Sequence, residues 1–315
     1  MELTDAKPIE ITDKALFDSY LKNHPPNISE LTFTNLFIWQ NYYQFLFKEW
    51  KDHILVFSKE FFKNWNKSAT NNVNNYFFLP PIGSNPEGII LELFNDVSEL
   101  EIHRVPQEII LNLENQEDFS TSNLTIMEDR NNWDYVYEIE SLINLPGNKF
   151  RQKRRWLAKF FEQYNYDFKI ISGDLINKTL QLQLEWCDQN ECQGNEDLEQ
   201  EQKAIERALE HYYQLGISGG IIFVNDKCVA YTLGELLNDD TLVVHIEKAH
   251  VEIEGAYQAI NNLFLKEFGP NFTYINREQD LGLPGLRRAK EGYKPIRMIE
   301  KSIICRTNEI QGLDS

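Results

Sequence analysis

Cysteine, long apolar runs, phosphate-binding glycine loops and positive charge are all scarce or missing in this chain, and each gap removes a class of protein. Four cysteines, Cys187, Cys192, Cys228 and Cys305, stand in 315 residues. No Cys-x-x-Cys or nearby His completes a zinc set, so no metal is expected, and all four are expected reduced, mostly as packing residues. Apolar runs such as Ile221-Ile222-Phe223-Val224 reach only a few residues, against the roughly 20 that a bilayer crossing needs. The start, Met1-Glu2-Leu3-Thr4-Asp5, is acidic where a secretory leader would be basic. A cytoplasmic protein with no transmembrane segment is expected. The motifs Gly-x-Gly-x-x-Gly, Gly-Lys-Ser/Thr, His-Glu-x-x-His and Gly-x-Ser-x-Gly do not occur, which takes most of the weight from nucleotide-dependent phosphoryl transfer and serine hydrolysis. Lys and Arg number 31 against 49 Asp and Glu, a formal net charge of -18. Such a field repels polyanions, so no DNA partner is expected and any contact with RNA or phosphate must be local.

Apolar residues are plentiful. They make up 42% of the chain, with 6 Trp, 14 Tyr and 20 Phe, enough for a sizeable core, and the length suits two domains. The patterns are of both kinds, so a mixed α/β fold is expected. Asn35–Tyr43 reads as a helix with a wide aromatic face, the asparagines from Asn64 to Asn75 as a polar loop, Tyr76–Leu79 as a short strand and Glu87–Phe94 as a helix. Asp134–Ser141 alternates as a strand, and Leu145-Pro146-Gly147-Asn148 ends it. The domain boundary is placed there, giving domains 1–147 and 148–315.

Phe150–Tyr164 is an amphipathic helix. Arg151, Arg154, Arg155 and Lys159 fall on one arc, opposite Trp156, Leu157, Phe160, Phe161 and Tyr164. The basic arc is either a solvated face or, in so acidic a chain, a contact for RNA or another anion. Leu180–Leu215 is helical and acidic, a solvated surface. Strands then follow at Gly220–Val224, Cys228–Leu233 and Leu242–Lys248, with tight turns at Asn225-Asp226 and Asn238-Asp239-Asp240. A helix carrying Ala256, Ile260, Leu263, Phe264 and Phe268 stops at Gly269-Pro270. After a strand at Phe272–Arg277, Pro284 opens a helix that Pro295 closes, and a last strand covers Arg297–Cys305. Two related half-molecules could lie below the level at which this sequence shows repeats.

Two places hold chemistry. Alternation along Leu242–Lys248 puts His245 and Glu247 on one strand face, where an imidazole and a carboxylate could act as a base or hold an amine; alternatively one caps a loop and the other is solvated. The strand ending at Arg277 runs into Asn276-Arg277-Glu278-Gln279-Asp280, hydrogen-bonding groups at a strand end, where α/β proteins place sites. Arg277 and Asp280 could equally form a structural ion pair. Beyond them Arg287, Lys290, Lys294, Arg297 and Lys301 form a second basic island.

A longer set of strings resembles a known family. His245-Ile-Glu-Lys-Ala249, Gly255-Ala-Tyr257, Ile260-Asn261, Tyr274-Ile-Asn-Arg-Glu278, Asp280-Leu-Gly282, Gly285-Leu-Arg287, Ala289-Lys290 and Tyr293-Lys-Pro295 are similar to the bacterial family classed with the C-terminal domain of phosphatidylglycerol lysyltransferase. Glu30–Trp39, Leu79–Gly83, Tyr135-Val-Tyr137 and Lys149–Arg155 fit the same pattern. The resemblance implies two GNAT-like halves, each a mixed sheet flanked by helices, related to the Fem peptidyltransferases that move an aminoacyl group from aminoacyl-tRNA to a cell-wall amine. It makes Leu242–Lys248 the central strand that splays from its neighbour, and Gly285–Lys290 the helix that presents a lysine near the acyl site.

What this implies is an acyltransferase-like enzyme that moves an acyl group, by preference aminoacyl from aminoacyl-tRNA, to an amine or hydroxyl of a small-molecule, lipid or peptide acceptor. His245, Glu247 and Lys290 would be catalytic; Asn276, Arg277, Glu278, Asp280, Tyr257 and Tyr293 would bind substrate. The family's membrane portion, which delivers lipid, has no counterpart in this sequence, so the lipid acceptor does not carry over. No cofactor is expected. The alternative is a coenzyme A-dependent N-acyltransferase using acetyl-CoA or another acyl-CoA on a small metabolite, or a non-catalytic binding module with the same fold. Val251-Glu-Ile-Glu-Gly-Ala-Tyr257 puts Glu252 and Glu254 where coenzyme A phosphates would approach a helix N-terminus, which disfavours that donor.

Overall fold

A computed structural model describes residues 2–307. Its strands, in chain order, are β1 (Lys7–Pro8), β2 (Leu46–Trp50), β3 (His53–Ser58), β4 (Tyr76–Phe78), β5 (Leu100–Pro106), β6 (Leu124–Glu128), β7 (Asp134–Glu138), β8 (Tyr166–Ile170), β9 (Ser218–Val224), β10 (Lys227–Asn238), β11 (Thr241–Ala249), β12 (Tyr274–Asn276), β13 (Arg297–Ile299) and β14 (Lys301–Arg306). They form two seven-stranded sheets, ordered β1-β2-β3-β4-β5-β14-β6 and β13-β7-β12-β11-β10-β9-β8. Read from its β8 edge, the second sheet repeats the first. In each a parallel pair joins the fourth and fifth strands, β4 with β5 and β11 with β12. In each the sixth place is filled by a strand from another part of the chain: β14 returns to the first sheet, and β7 opens the second.

This exchange sets the division of the chain. One compact unit runs to Trp133 and resumes at Ile299; the other is Asp134–Met298. The boundary expected at 147/148 falls inside the second unit, because β7 pairs with β12 through Tyr137–Ile275 and its neighbours. The stop at Leu145 exists, in the left-handed region at φ 47, but it caps the helix Ile139–Asn144. That helix also shortens the strand expected over 134–141, which ends at Glu138. The expected last strand is two: Glu300 separates β13, in the second sheet, from β14, in the first. The run Arg297–Cys305 contains no Gly or Pro, so no turn residue marks the hand-over.

In the first unit every residue of β3 is buried, as its apolar run requires of a strand covered on both faces. Its core joins Leu55, Phe57 and Phe78 to Ile90 and Leu93 of the helix Pro86–Asp96. The asparagine-rich loop is organised around one buried carboxylate: Glu101 accepts hydrogen bonds from the Thr70 amide and hydroxyl, the Ala69 amide and Asn75. Those donors and the His103 ring hold it at about 2 although burial opposes ionisation.

In the second unit the helix Ala256–Phe268 lies across the sheet. Phe264 and Leu265 meet Leu242, Val244 and Ile275, while Ala259 and Ile260 meet Phe160, Ile222 and Ala230. Glu247 lies on this helix side as well, bonded to Asn261 of the helix, with Ala249 against the same cluster. The acidic segment forms the helices Leu175–Gln189 and Glu196–Glu210, the latter burying Ala204, Ile205, Ala208 and Leu209. The expectation of four reduced cysteines is corrected here. The chain turns back at Glu191 (φ 52) after the first of these helices, bringing the Cys187 and Cys192 Cα atoms to 5.2 Å, and the two are disulfide-bonded. Cys228 and Cys305 are free.

Candidate functional site

The site is built where β11 parts from β12. The pair runs together for three residues, Thr241–Val243 beside Tyr274–Asn276, and β11 then continues alone on that side to Ala249. On its other side β10 is out of step: Leu233 faces Ile246 and Gly234 faces Val244, so His245 is the extra residue of a bulge. Gly234 is needed at this point, since a Cβ would stand 2.4 Å from the Val243 carbonyl oxygen. The bulge aims the imidazole between two strands' ends.

There His245 is clasped. Its Nδ1 donates to Glu278 Oε1 and its Nε2 to Glu235 Oε1, each at 2.8 Å. Burial would push the imidazole down, but the two carboxylates override it and raise it to about 10. It is an imidazolium at neutral pH and cannot serve as a base there. Glu278 holds its place with φ 55, an uncommon backbone for a non-glycine residue, fixed by its amide donating to Asn276 Oδ1 at 2.8 Å.

Two residues along β11, Glu247 accepts from Arg277 Nη2 at 2.7 Å and from Asn261 Nδ2 at 3.3 Å. Arg277 therefore pairs with Glu247, and the alternative of an Arg277–Asp280 ion pair is not what forms. Its guanidinium carbon stands 4.9 Å from the Tyr293 ring centroid and 5.9 Å from that of Tyr137. The Arg277 Nη1 is buried and without a hydrogen-bond partner. Lys153 approaches the same Tyr293 ring, its Nζ 4.0 Å from the centroid. Burial, then the Arg277 charge, push this ammonium down to about 8 in spite of Glu247. The Tyr293 phenol, likewise buried, is raised to about 12.

The strand-end loop is held from below. Asn276 donates to Asp134 Oδ2 at 2.9 Å, and Asp280, fully buried, receives both Arg287 Nε (2.8 Å) and Nη2 (2.9 Å) as well as the Tyr135 hydroxyl at 2.6 Å. These donors keep Asp280 ionised far below the usual carboxylate range although burial opposes it. Lys290 donates to the carbonyls of Arg277, at 2.6 Å, and Gln279. Burial lowers it to about 8. Its amine is thus directed at backbone oxygens, and it shapes the loop that carries Arg277 and Glu278. Tyr137 donates to the Lys290 carbonyl at 2.8 Å, tying the helix Pro284–Glu291 to β7.

Two clusters result, His245 with Glu235 and Glu278, and Glu247 with Arg277 and Tyr293, while Asn276, Asp280 and Lys290 support the loop that carries Arg277 and Glu278. Tyr257, half-buried at the start of its helix, takes no part in the hydrogen bonds around His245 and Glu247. Its phenol is raised by burial, against the opposing effect of the Ala249 backbone and Trp186. The basic helix divides: Arg151 and Arg155 are exposed, Arg154 donates to the Leu145 and Gly147 carbonyls, and Lys159 pairs with Glu254. Of the second island, Lys301 is fully buried against Glu30 at 2.6 Å in the first unit, so it cannot belong to an exposed patch.

Two members of the site went unnoticed in the sequence. Lys153 lies between the two arcs of its helix, and its signal is Trp156 at i+3, whose ring it reaches at 5.5 Å. Glu235 gains its position only from the bulge. The corresponding strand ends of the first unit look different: His103 rests on Glu101, and Arg104 on Asp129 and Glu30. Every charge there is matched. Among the described residues no His, Cys, Asp and Glu group is set to hold a metal.

Residues 22–305 match the family described as phosphatidylglycerol lysyltransferase, C-terminal. The chain belongs to that family. An uncharacterised relative in Mycoplasmoides gallisepticum is 25% identical over 173 residues, 54% of this chain and 55% of the relative, so the chain spans about half of that protein's length. A solved conserved protein of unknown function from Bacteroides thetaiotaomicron is 30% identical, with a TM-score of 0.84 over 96% of this chain and 99% of that one. L-PGS of Bacillus licheniformis gives a TM-score of 0.64 at 14% identity, covering 99% and 96%. FemX gives 0.57 at 8%, covering 95% and 97%. These likenesses agree with the topology: two GNAT-like halves, each a mixed sheet flanked by helices. Family membership relates the chain to the lysyltransferase, and its fold is shared with FemX. Among the described residues no helix is long and apolar enough to cross a membrane.

Proposed function

We propose that the chain transfers an aminoacyl group from aminoacyl-tRNA to an amine or hydroxyl acceptor at the parting of β11 and β12. The observation that carries this reading is the charged cluster found there, Glu247 with Arg277 and His245 with Glu235 and Glu278, in a member of the lysyltransferase family. In the reaction the acceptor nitrogen or oxygen attacks the ester carbonyl and forms the new bond to carbon. The ester C–O bond breaks, and the ribose hydroxyl leaves with the proton that the acceptor gives up. An amine attacking an activated ester needs positioning more than a strong base. Glu247, oriented by Arg277 and Asn261, is the carboxylate that would hold an ammonium or hydroxyl of a substrate. His245 is a positioning residue, acting through Glu235 and Glu278. Lys290 acts through the loop whose carbonyls it binds.

Against a coenzyme A donor stands the packing of the helix that would receive its pyrophosphate. Gly255, at φ 84, brings the start of Ala256–Phe268 so close to the helix Arg151–Gln163 that a Cβ would lie 2.3 Å from the Trp156 carbonyl oxygen, and Glu254 is paired with Lys159. The test is transfer of label from a pool of aminoacylated tRNAs to phosphatidylglycerol vesicles, lysine-bearing peptides or small amines. Product should form with one acceptor class, and Glu247→Ala should slow it about 100-fold. Binding of tRNA with no transfer to any acceptor would favour the binding module, and micromolar affinity for acetyl-CoA would favour the coenzyme A enzyme.

A further inference from the structure

We propose that Lys153 and Arg277 are the two arms of a binding site for one phosphate group of a substrate, with the Tyr293 ring as its floor. Both cations stand on that ring, at 4.0 and 4.9 Å from its centroid. Arg277 gives Nη2 to Glu247 and keeps Nη1 buried without a partner. A buried guanidinium N–H left unmade is unfavourable, so it marks a place where a ligand oxygen belongs. The Lys153 ammonium makes no hydrogen bond or ion pair among the described residues. It also sits in the first turn of the helix Arg151–Gln163, where the helix dipole disfavours a cation. Two like charges near one another are tolerated poorly unless an anion joins them. A guanidinium fork beside an ammonium is the donor set with which proteins grip phosphate oxygens. The exposed Lys294, next to Tyr293, adds a third positive charge whose field reaches Lys153. The direction in which Lys153 titrates agrees: burial, and then the Arg277 charge, lower it in spite of Glu247, and a bound anion would raise it again.

The inference deepens the acyl-transfer reading, since a tRNA terminus and a phospholipid headgroup both carry phosphodiesters, but its test needs no transfer. Calorimetric titration of the whole chain at low salt uses inorganic phosphate first, then adenosine 5′-monophosphate and glycerol 3-phosphate, with acetate as the carboxylate control. Phosphate should bind wild type with an affinity that falls as salt is added. Lys153→Ala should weaken it at least tenfold, and Lys153→Arg should restore most of it. The tighter of the two organic phosphates then names the source, nucleotide or lipid headgroup. Lys153 is half-exposed and unpaired, so these variants should keep the wild-type circular dichroism; Arg277→Lys, which retains a charge for Glu247, is the second variant and should also weaken binding. No phosphate binding, binding unchanged in both Lys153→Ala and Arg277→Lys, or acetate bound as well as phosphate would each overturn the proposal. Loss of transfer with phosphate binding intact would instead count against the acyl-transfer reading alone.

Discussion

With Glu235 on one nitrogen and Glu278 on the other, His245 has no lone pair to offer a substrate proton at neutral pH. Its folded value, about 10, lies above the roughly 6.5 of a free imidazole. A raised value means that folding favours the protonated form. The stability it contributes is full below about 6.5 and is lost as pH rises through about 10. Its ring protons should therefore show no titration by NMR between pH 6 and 8.5, and a midpoint near 7 would return His245 to the list of bases. Glu247 poses a different question. Its pair with Arg277 is almost dry, each side chain 11% exposed, so Glu247→Gln strands a buried guanidinium. A loss of about 3 kcal/mol in urea unfolding is expected. A much smaller loss would mean that water reaches Arg277 and that its pairing is a surface contact.

At the scale of elements, the helices Arg151–Gln163 and Ala256–Phe268 meet at Gly255. Its positive φ excludes most side chains, and its contact with the Trp156 carbonyl excludes even a methyl. Gly255→Ala should lower stability by about 1–2 kcal/mol from the backbone alone. The clash adds to this, and because Lys153 is on the displaced helix, phosphate binding should weaken in the same variant. Thermal melting and the titration above read the two effects separately. Strands show the same dependence on neighbours: β12 stops at Asn276, and only that early stop frees His245 and Glu247 from a strand alongside.

At the scale of the whole molecule, the net charge of -18 governs any encounter with RNA. Arg151 and Arg155 remain exposed, while Arg154 holds the chain at Leu145 and Gly147, so the reversal that tests RNA contact is Arg151→Glu with Arg155→Glu. Binding of tRNA, followed by fluorescence anisotropy, should be weak and should fall with salt, each neutralised phosphate adding about 0.7–0.9 to the slope. The double reversal should lower that slope by no more than about two such contacts and leave the melting temperature unchanged. Binding indifferent to it would leave this helix face merely solvated.

The sequence by itself determined most elements of the second half and several residues of the candidate site. Periodicity and the turn signals Asn225-Asp226, Gly269-Pro270 and Pro284 depend on nearest neighbours along the chain, and those are present in one sequence. They placed His245 and Glu247 on one strand, and Asn276 to Asp280 at a strand end, before any contact was known; the shared strand face expected of His245 and Glu247 is broken by the bulge at His245. The roles within that set were decided by tertiary structure. Whether Lys290 faces a substrate or two carbonyls, and whether His245 is a base or a cation, depends on partners 10 to 33 residues away. The bulge that brings in Glu235, and the inward turn of Lys153, arise from registers and helix packing that leave no local mark. The exchange of β7 and β14 between the sheets is of the same kind, because strand partners are chosen by long-range pairing, and β13 and β14 read as one strand until their neighbours separate them.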